Sequence, residues 1–296
     1  MKSLDQLVAC LILDGSARRR SFLAMVGRSG FDLPLDADTT IINAWISELQ
    51  TVALKLESDF FPVRVVVDEI TPSPQSNRSV ETLAVSSEVD PYAWRGSAGV
   101  LRDITQQYAK DQFVLVIAGV QVPLVPLWDI VERMASFDAD IVLLADEDGA
   151  SIDISLIRCG CLRDISPIGF VDFKEQALTQ LSVKNIVRVL NVEAQSMMPV
   201  RSRETYIAAL RAWSAKSRST QAGFEKTETY QPTFAITETG AMISPDAEIL
   251  DSVILAGAVV NDGACVVQSV VCPGQRIGKG EEIVRTIVGT ESLEMI

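Results

Sequence analysis

Histidine is absent from the 296 residues of the chain. That absence alone excludes Ser-His-Asp and Cys-His catalysis, histidine general bases and His-ligated zinc. Chemistry is left to carboxylates, Lys, Arg, Ser, Thr, Tyr or Cys. Positive charge is also short: 26 Lys and Arg stand against 39 Asp and Glu, a net charge of −13. Nucleic acid and anionic membrane both need a basic surface, so neither is expected as a partner. No apolar run reaches the roughly 18–20 residues of a membrane span. The longest candidate, 113–125, is interrupted by Gly119, Gln121 and Pro123. The N-terminus has Lys2 but then Asp5 and Gln6, with no small-residue cleavage site after a long apolar stretch, so it reads as a first strand and not a signal peptide. Five cysteines form no tight framework, and reduced thiols in a cytoplasm are the expectation. Cys159 and Cys161 form a CxC pair, which in an extended strand puts both thiols on one face.

What the chain does have is a globular composition, 48% hydrophobic and 22% charged, at a length that suits one large domain or two unequal ones. Its clearest pattern lies at the C-terminus. Aliphatic residues fall at Ile243, Ile249, Ile254, Val260, Val266, Val271, Ile277, Ile283 and Val288, in steps of 6 or 5 that repeat every 17 residues. A short strand on each of three faces, with tight turns between, gives this period. Each aliphatic then points inward and stacks on its equivalent one coil away, because a single coil cannot bury its own apolar face. Ser244-Pro245-Asp246-Ala247, Asn261-Asp262-Gly263-Ala264, Cys272-Pro273-Gly274 and Gly278-Lys279-Gly280 supply the corner residues. The expectation is a left-handed parallel β-helix of hexapeptide-repeat type. Acyltransferases of that kind usually need a catalytic histidine, so a structural or oligomerising cap is favoured over an acyl-transfer site. An open end of so short a stack would pack on a second subunit.

Upstream, strand and helix signals alternate. Residues 7–13 form a continuous apolar run, expected as a strand buried on both faces. Residues 39–56 carry helical spacing, with Ile42, Trp45, Ile46, Leu49 and Val52 on one side. Further strands are expected at 62–67, 113–117, 140–144 and 152–158, and helices at 97–108, 127–137, 172–181 and 203–216. Alternation implies an α/β fold: a mainly parallel sheet with helices on both faces, binding ligands beyond the carboxyl ends of its strands. The domain reading is an α/β domain over 1–217, a polar linker over 218–235 and the β-helix over 236–296.

Several segments, taken in order, resemble the sugar-1-phosphate nucleotidyltransferases (nucleotide-sugar pyrophosphorylases), many of which carry a C-terminal left-handed β-helix. Leu11-Ile12-Leu13-Asp14-Gly15-Ser16-Ala17-Arg18-Arg19-Arg20 resembles the family's Gly-rich signature loop. Arg95-Gly96-Ser97-Ala98-Gly99-Val100-Leu101 resembles its Gly-Thr-Ala-Gly turn before a helix. Residues 113–120 resemble the strand ending in Gly-Asp, and 168–175 and Glu204-Thr205-Tyr206 resemble later segments. The resemblance covers nearly the whole chain and implies a nucleotide-diphospho-sugar-transferase-like fold. It makes Gly15, Ser16, Arg18, Arg20, Gly96, Ser97, Ala98 and Gly99 nucleotide-side candidates, and Asp172, Lys174 and Glu175 sugar-side candidates.

Family enzymes join a sugar 1-phosphate to a nucleoside triphosphate by in-line displacement, which depends on charge neutralisation by Mg²⁺, Lys and Arg. Here the equipment departs from the pattern. Ser16 and Arg18 stand where two signature glycines are expected, so close backbone approach to phosphate is obstructed; the three arginines either hold an anion or form a solvated basic loop. Gly30 occupies the position of the family's lysine, and no other lysine lies between Lys2 and Lys55. Val120 occupies the position of the metal-binding aspartate and offers no oxygen to a hard cation. Pro199 or a neighbour falls at a second aspartate position. The segments that hold the sugar are missing between 144 and 152, where Asp146-Glu147-Asp148-Gly149 reads as an acidic turn tip rather than a cation site.

Two functions follow. The first is a non-catalytic relative that binds a nucleotide or nucleotide sugar, or serves assembly as a homo-oligomer or with a paralogue through the β-helix, and requires no cofactor. The second is an active nucleotidyltransferase with relocated catalytic groups, which would use Mg²⁺. The loss of the expected lysine and aspartate favours the first. Lys174 and Glu175 fit a helix surface as well as they fit a ligand site.

Overall fold

The computed structural model describes residues 4–14, 21–75, 82–90, 92–221 and 233–289. The chain divides into two compact units, one of Met1–Arg19 with Asn43–Met197 and one of Arg20–Ile42 with Met198–Ile296. The helices are α1 (Ser21–Val26), α2 (Ile41–Lys55), α3 (Gly96–Ile104), α4 (Leu127–Ala135), α5 (Cys159–Leu162), α6 (Leu178–Leu181) and α7 (Arg203–Gln221).

The first unit is built on a sheet of β1 (Leu7–Asp14), β2 (Phe61–Val67), β3 (Leu83–Val89), β4 (Phe113–Ala118), β6 (Ile141–Asp146), β7 (Ser151–Arg158) and β8 (Val187–Val192), with β5 (Gln121–Pro123) outside it. The spatial order is β3-β2-β1-β4-β7-β6-β8. All neighbours are parallel except β7, which is antiparallel to both β4 and β6. The central strands β1 and β4 are continuous apolar runs and almost wholly buried, as two-sided burial requires. Leu127, Ile130, Val131 and Met134 form the buried stripe of α4 at helical spacing. In α2 the buried Trp45 turns its indole N–H to the carbonyl of Gln121 at 2.8 Å, so a large apolar surface is buried without orphaning its donor. Arg163 gathers the carbonyls of Thr105, Gln106 and Tyr108 at 2.8–3.0 Å, closing the turn after α3.

Three details differ from the expectations. β3 (LAVSSEV) and β8 (VRVLNV) are edge strands whose serines, arginine and asparagine weaken the apolar signal. β7 runs antiparallel because only residues 147–150 join it to β6, a link far too short for a parallel crossover. The CxC pair lies in the short helix α5 and not in a strand; both thiols are buried there, and the Cys159 amide donates to the Gln112 carbonyl at 2.8 Å.

The second unit joins residues 20–42, α7 and the C-terminal repeat. Tyr206 is fully buried, donates its hydroxyl to the Pro34 carbonyl at 2.6 Å and packs on Phe22 with ring centroids 5.9 Å apart. Arg28 pairs with Glu238 at 2.8 Å, Arg211 with Asp251 at 2.6 Å, and Trp213 donates to Asp36 at 2.8 Å. The C-terminal strands form three small parallel sheets. Ile243 pairs with Val260 and Val260 with Ile277; Ile249, Val266 and Ile283 form a second row; Ile254, Val271 and Val288 form the third. All nine belong to, or pack against, one apolar cluster. The expected register is therefore the observed one. One more strand, Ala235–Thr237, straddles the expected boundary between linker and β-helix at 235/236 and pairs with Ser252–Ile254.

Backbone handedness follows the same interval. Asp251, Gln268 and Arg285 all take left-handed φ values of 47°, 47° and 50°. The next residue in each case caps the corner. The Ser252 hydroxyl accepts from the Ser269 amide at 3.0 Å, and the Ser269 hydroxyl accepts from the Thr286 amide at 3.0 Å. These buried hydroxyls satisfy backbone donors that the corners would otherwise leave unpaired.

Candidate functional site

In the first unit, the carboxyl ends of the parallel strands place several of the candidates side by side. β1 ends at Asp14, which is only 4% exposed. Beside it β4 ends at Ala118, and the Gly119 amide donates to the Leu13 carbonyl at 2.8 Å. Gly119 turns the chain at φ 75°, and Val120 follows, 6% exposed. An apolar, buried side chain thus closes the end of β4. Val120 offers no oxygen to a hard cation, which leaves Asp14 as the carboxylate at the paired ends of β1 and β4. Among the described residues no three His, Cys, Asp or Glu side chains are grouped to hold a metal. Asp146 accepts from the Ala150 amide at 2.7 Å, so it closes the β6–β7 turn.

Gly96–Gly99 and the segment 171–175 are brought together, nucleotide-side and sugar-side candidates in one hydrogen-bonded knot. The Val171 amide donates to the Arg95 carbonyl at 2.9 Å, and the Ala98 amide donates to the Val171 carbonyl at 3.0 Å. The Ser97 hydroxyl donates to Asp172 at 3.1 Å and accepts from the Phe173 amide at 2.9 Å. Asp172 in turn accepts from the amides of Lys174 and Glu175 at 2.9 and 3.0 Å, the geometry of a helix N-cap. The first turn of α3, the natural place for an anion, is therefore already engaged by the chain's own carbonyl and carboxylate.

The glycines of this knot have a packing reason. Gly96 sits at φ 70°, and a Cβ built on it would lie 2.6 Å from the Val171 carbonyl oxygen. A Cβ on Gly99 would lie 2.7 Å from that of Arg95. Arg95 itself pairs with Asp90 at 3.0 Å and with Asp103, and its guanidinium lies 4.5 Å from the Tyr92 ring centroid.

Lys174 reaches β7, where it pairs with Asp153 and donates to the Ser151 hydroxyl at 2.8 Å. Asp153 takes a left-handed φ of 61° inside a strand; it is the residue before Ile154, which pairs with Ile117 in the antiparallel ladder, and so it lies toward the end of β4. Glu175 is exposed. Gly15, Ser16, Arg18 and Arg20 lie outside the described residues. Gly30 belongs to the second unit, buried in a single turn Gly30–Asp32 that Ser29 caps by accepting from the Phe31 amide at 3.2 Å. Sequence reasoning missed Asp14 and Asp153 as carboxylates near these strand ends. Asp14 was detectable as an acid closing an apolar run; Asp153 depends on the reversed strand and had no signal.

These features define a class by fold: a mixed, mainly parallel α/β sheet with its polar loops gathered at the carboxyl ends, followed by short parallel strands. No protein-family model matches the sequence, and no curated protein matches it. Among solved structures, the chain is similar to one described as a glucose-1-phosphate thymidylyltransferase from Bacillus anthracis in complex with sucrose. The TM-score is 0.51 at 10% identity, over 74% of this chain and 98% of that one. HddC from Yersinia pseudotuberculosis is similar at a TM-score of 0.46 and 13% identity, over 69% of this chain and 98% of that one. At 10% identity the first likeness establishes the fold.

Proposed function

We propose that this chain is a sugar-1-phosphate nucleotidyltransferase-like protein that has lost catalysis and keeps a nucleotide- or nucleotide-sugar-binding or assembly role. Val120 carries the reading. It stands buried at the end of β4, where the resemblance places a metal-holding carboxylate. Phosphoryl-transfer chemistry of this kind draws most of its rate from charge neutralisation, and an isopropyl group contributes none. Two further observations support it. The first turn of α3 is engaged by Val171 and Asp172, and residues 147–150 are all that joins β6 to β7, leaving no room for a sugar-holding segment. The C-terminal stack, with three rows in 17-residue register, fits a left-handed parallel β-helix that serves structure and assembly.

Calorimetric titration with nucleoside triphosphates and nucleotide sugars, with and without Mg²⁺, tests this. Binding, where found, is expected to be indifferent to Mg²⁺. A Mg²⁺-dependent rise in triphosphate affinity overturns the reading.

A further inference from the structure

We propose that β3 is a self-pairing edge through which two copies of this chain join their sheets, antiparallel, about a two-fold axis centred on Ser86. β3 pairs with β2 along its whole length, Phe61–Leu83 through Val67–Val89, with no bulge. No described strand pairs with its other edge. The Phe61 amide donates to the Thr82 carbonyl and the Asp90 amide to the Val67 carbonyl. Backbone groups of even-numbered residues therefore face β2, and by alternation those of Leu83, Val85, Ser87 and Val89 face outward.

Edge strands are normally guarded by lysine, proline, a bulge or an inward charge. LAVSSEV has none free. Its one charge, Glu88, is held by Arg64 of β2 in a bidentate pair at 2.5 and 2.6 Å. β8, the opposite edge, carries Arg188, which is exposed. Exposed apolar side chains also lie at or beyond the ends of β2 and β3: Phe60, Ile70, Val89, Tyr92 and Trp94.

The sequence of the strand selects a second copy as the occupant. With Ser86 opposite itself, Leu83 meets Val89, Val85 meets Ser87 and Ala84 meets Glu88. Apolar residues meet apolar or small ones, and no like charges oppose. On a chain of net charge −13, the one charge of β3 is already paired with Arg64, so the strand itself brings no unpaired charge to the contact. The outward groups of four residues on each copy would form about eight new hydrogen bonds, and closed two-fold pairing leaves no further edge at that side.

Sedimentation equilibrium on the full chain is expected to give a two-chain mass at micromolar concentration. Ser87→Pro removes an outward N–H and spares the inward ladder, and Val85→Lys adds the missing guard. Each should weaken association by more than about tenfold while circular dichroism and the melting curve stay near wild type. In a Cys265→Ser background, Ser86→Cys should give a disulfide-linked dimer on mild oxidation, because opposed residues of a non-hydrogen-bonded pair lie about 4.5 Å apart. Ala84→Cys, opposite Glu88, should not. A single-chain mass for the wild type, association unchanged by both substitutions, or no crosslink through Ser86→Cys overturns the proposal.

Discussion

The two units solve the same problem, burying parallel strands, by opposite means. In the C-terminal stack each strand pairs with the one 17 residues on, so one interval fixes register, inward face and corner handedness together. In the seven-stranded sheet each pairing is a separate event: β1 lies between β2 and β4, and β7 is inserted backwards between β4 and β6. Repetition makes structure redundant, since a corner is seen several times in slightly different chemistry. The sheet has no such redundancy, so single residues there carry unique geometry.

That contrast can be broken by substitution, and the largest effect should come from the stack interior. Val266 is fully buried within the apolar cluster. Val266→Asp places an unpaired carboxylate there and should cost more than about 4 kcal/mol, read from urea unfolding. A cost below about 1 kcal/mol, the range for a surface site, would mean that the interior admits water.

Next comes a comparison of glycines. Gly96→Ala should cost about 3 kcal/mol, because left-handed strain of about 1–2 kcal/mol adds to a backbone collision with Val171 at 2.6 Å. Gly274, at φ 74° with nothing within 4 Å of its Cβ position, should cost about 1 kcal/mol as alanine. Equal losses in thermal melts would remove the distinction between a unique knot and a repeated corner.

A smaller effect is expected from Ser269→Ala, which deletes the acceptor of the Thr286 amide at a partly buried corner. About 0.5–1.5 kcal/mol is expected, and full retention of stability would show that the hydroxyl ladder is incidental.

The resemblance and the repeat differ in how much of each was readable. The stack was readable to the residue from Ile243 onward, since nine aliphatics fall in register. Its first strand was not, because Thr237, 17 residues before Ile254, stands where an aliphatic would have announced it. In the sheet, β1 and β4 were plain as apolar runs, whereas β3 and β8 were hidden because edge strands need only one buried face and carry polar residues between. The candidate site was half legible. Gly96–Gly99, Ser97 among them, and Asp172 were singled out and do meet, but that they bind each other through Ser97 and Val171 is set by tertiary packing that no local pattern encodes. Lys174 was singled out without its partner, because Asp153 reaches it only through the reversal of β7.

A further expected effect is one of pH. Burial pushes the thiols of Cys159 and Cys161 in the sheet unit, and of Cys272 in the repeat unit, up to about 11. Unfolded thiols ionise near about 8.5. A folded value raised above the unfolded one gives stability that is complete below about 8.5 and is lost as pH climbs toward about 11. Urea midpoints should therefore be flat from neutrality to about pH 8 and fall above it, with the fall reduced in Cys159→Ala and Cys161→Ala. A midpoint that stays constant through the alkaline range would contradict the burial of these groups.

The central claim, that Val120 marks a nucleotidyltransferase fold without its chemistry, is tested most directly by pyrophosphate release. The full chain would be incubated with Mg²⁺, each nucleoside triphosphate and a set of sugar 1-phosphates. The account predicts release no faster than in the absence of protein. Sustained, protein-dependent release with any pair would show that other groups at the strand ends have taken over the reaction.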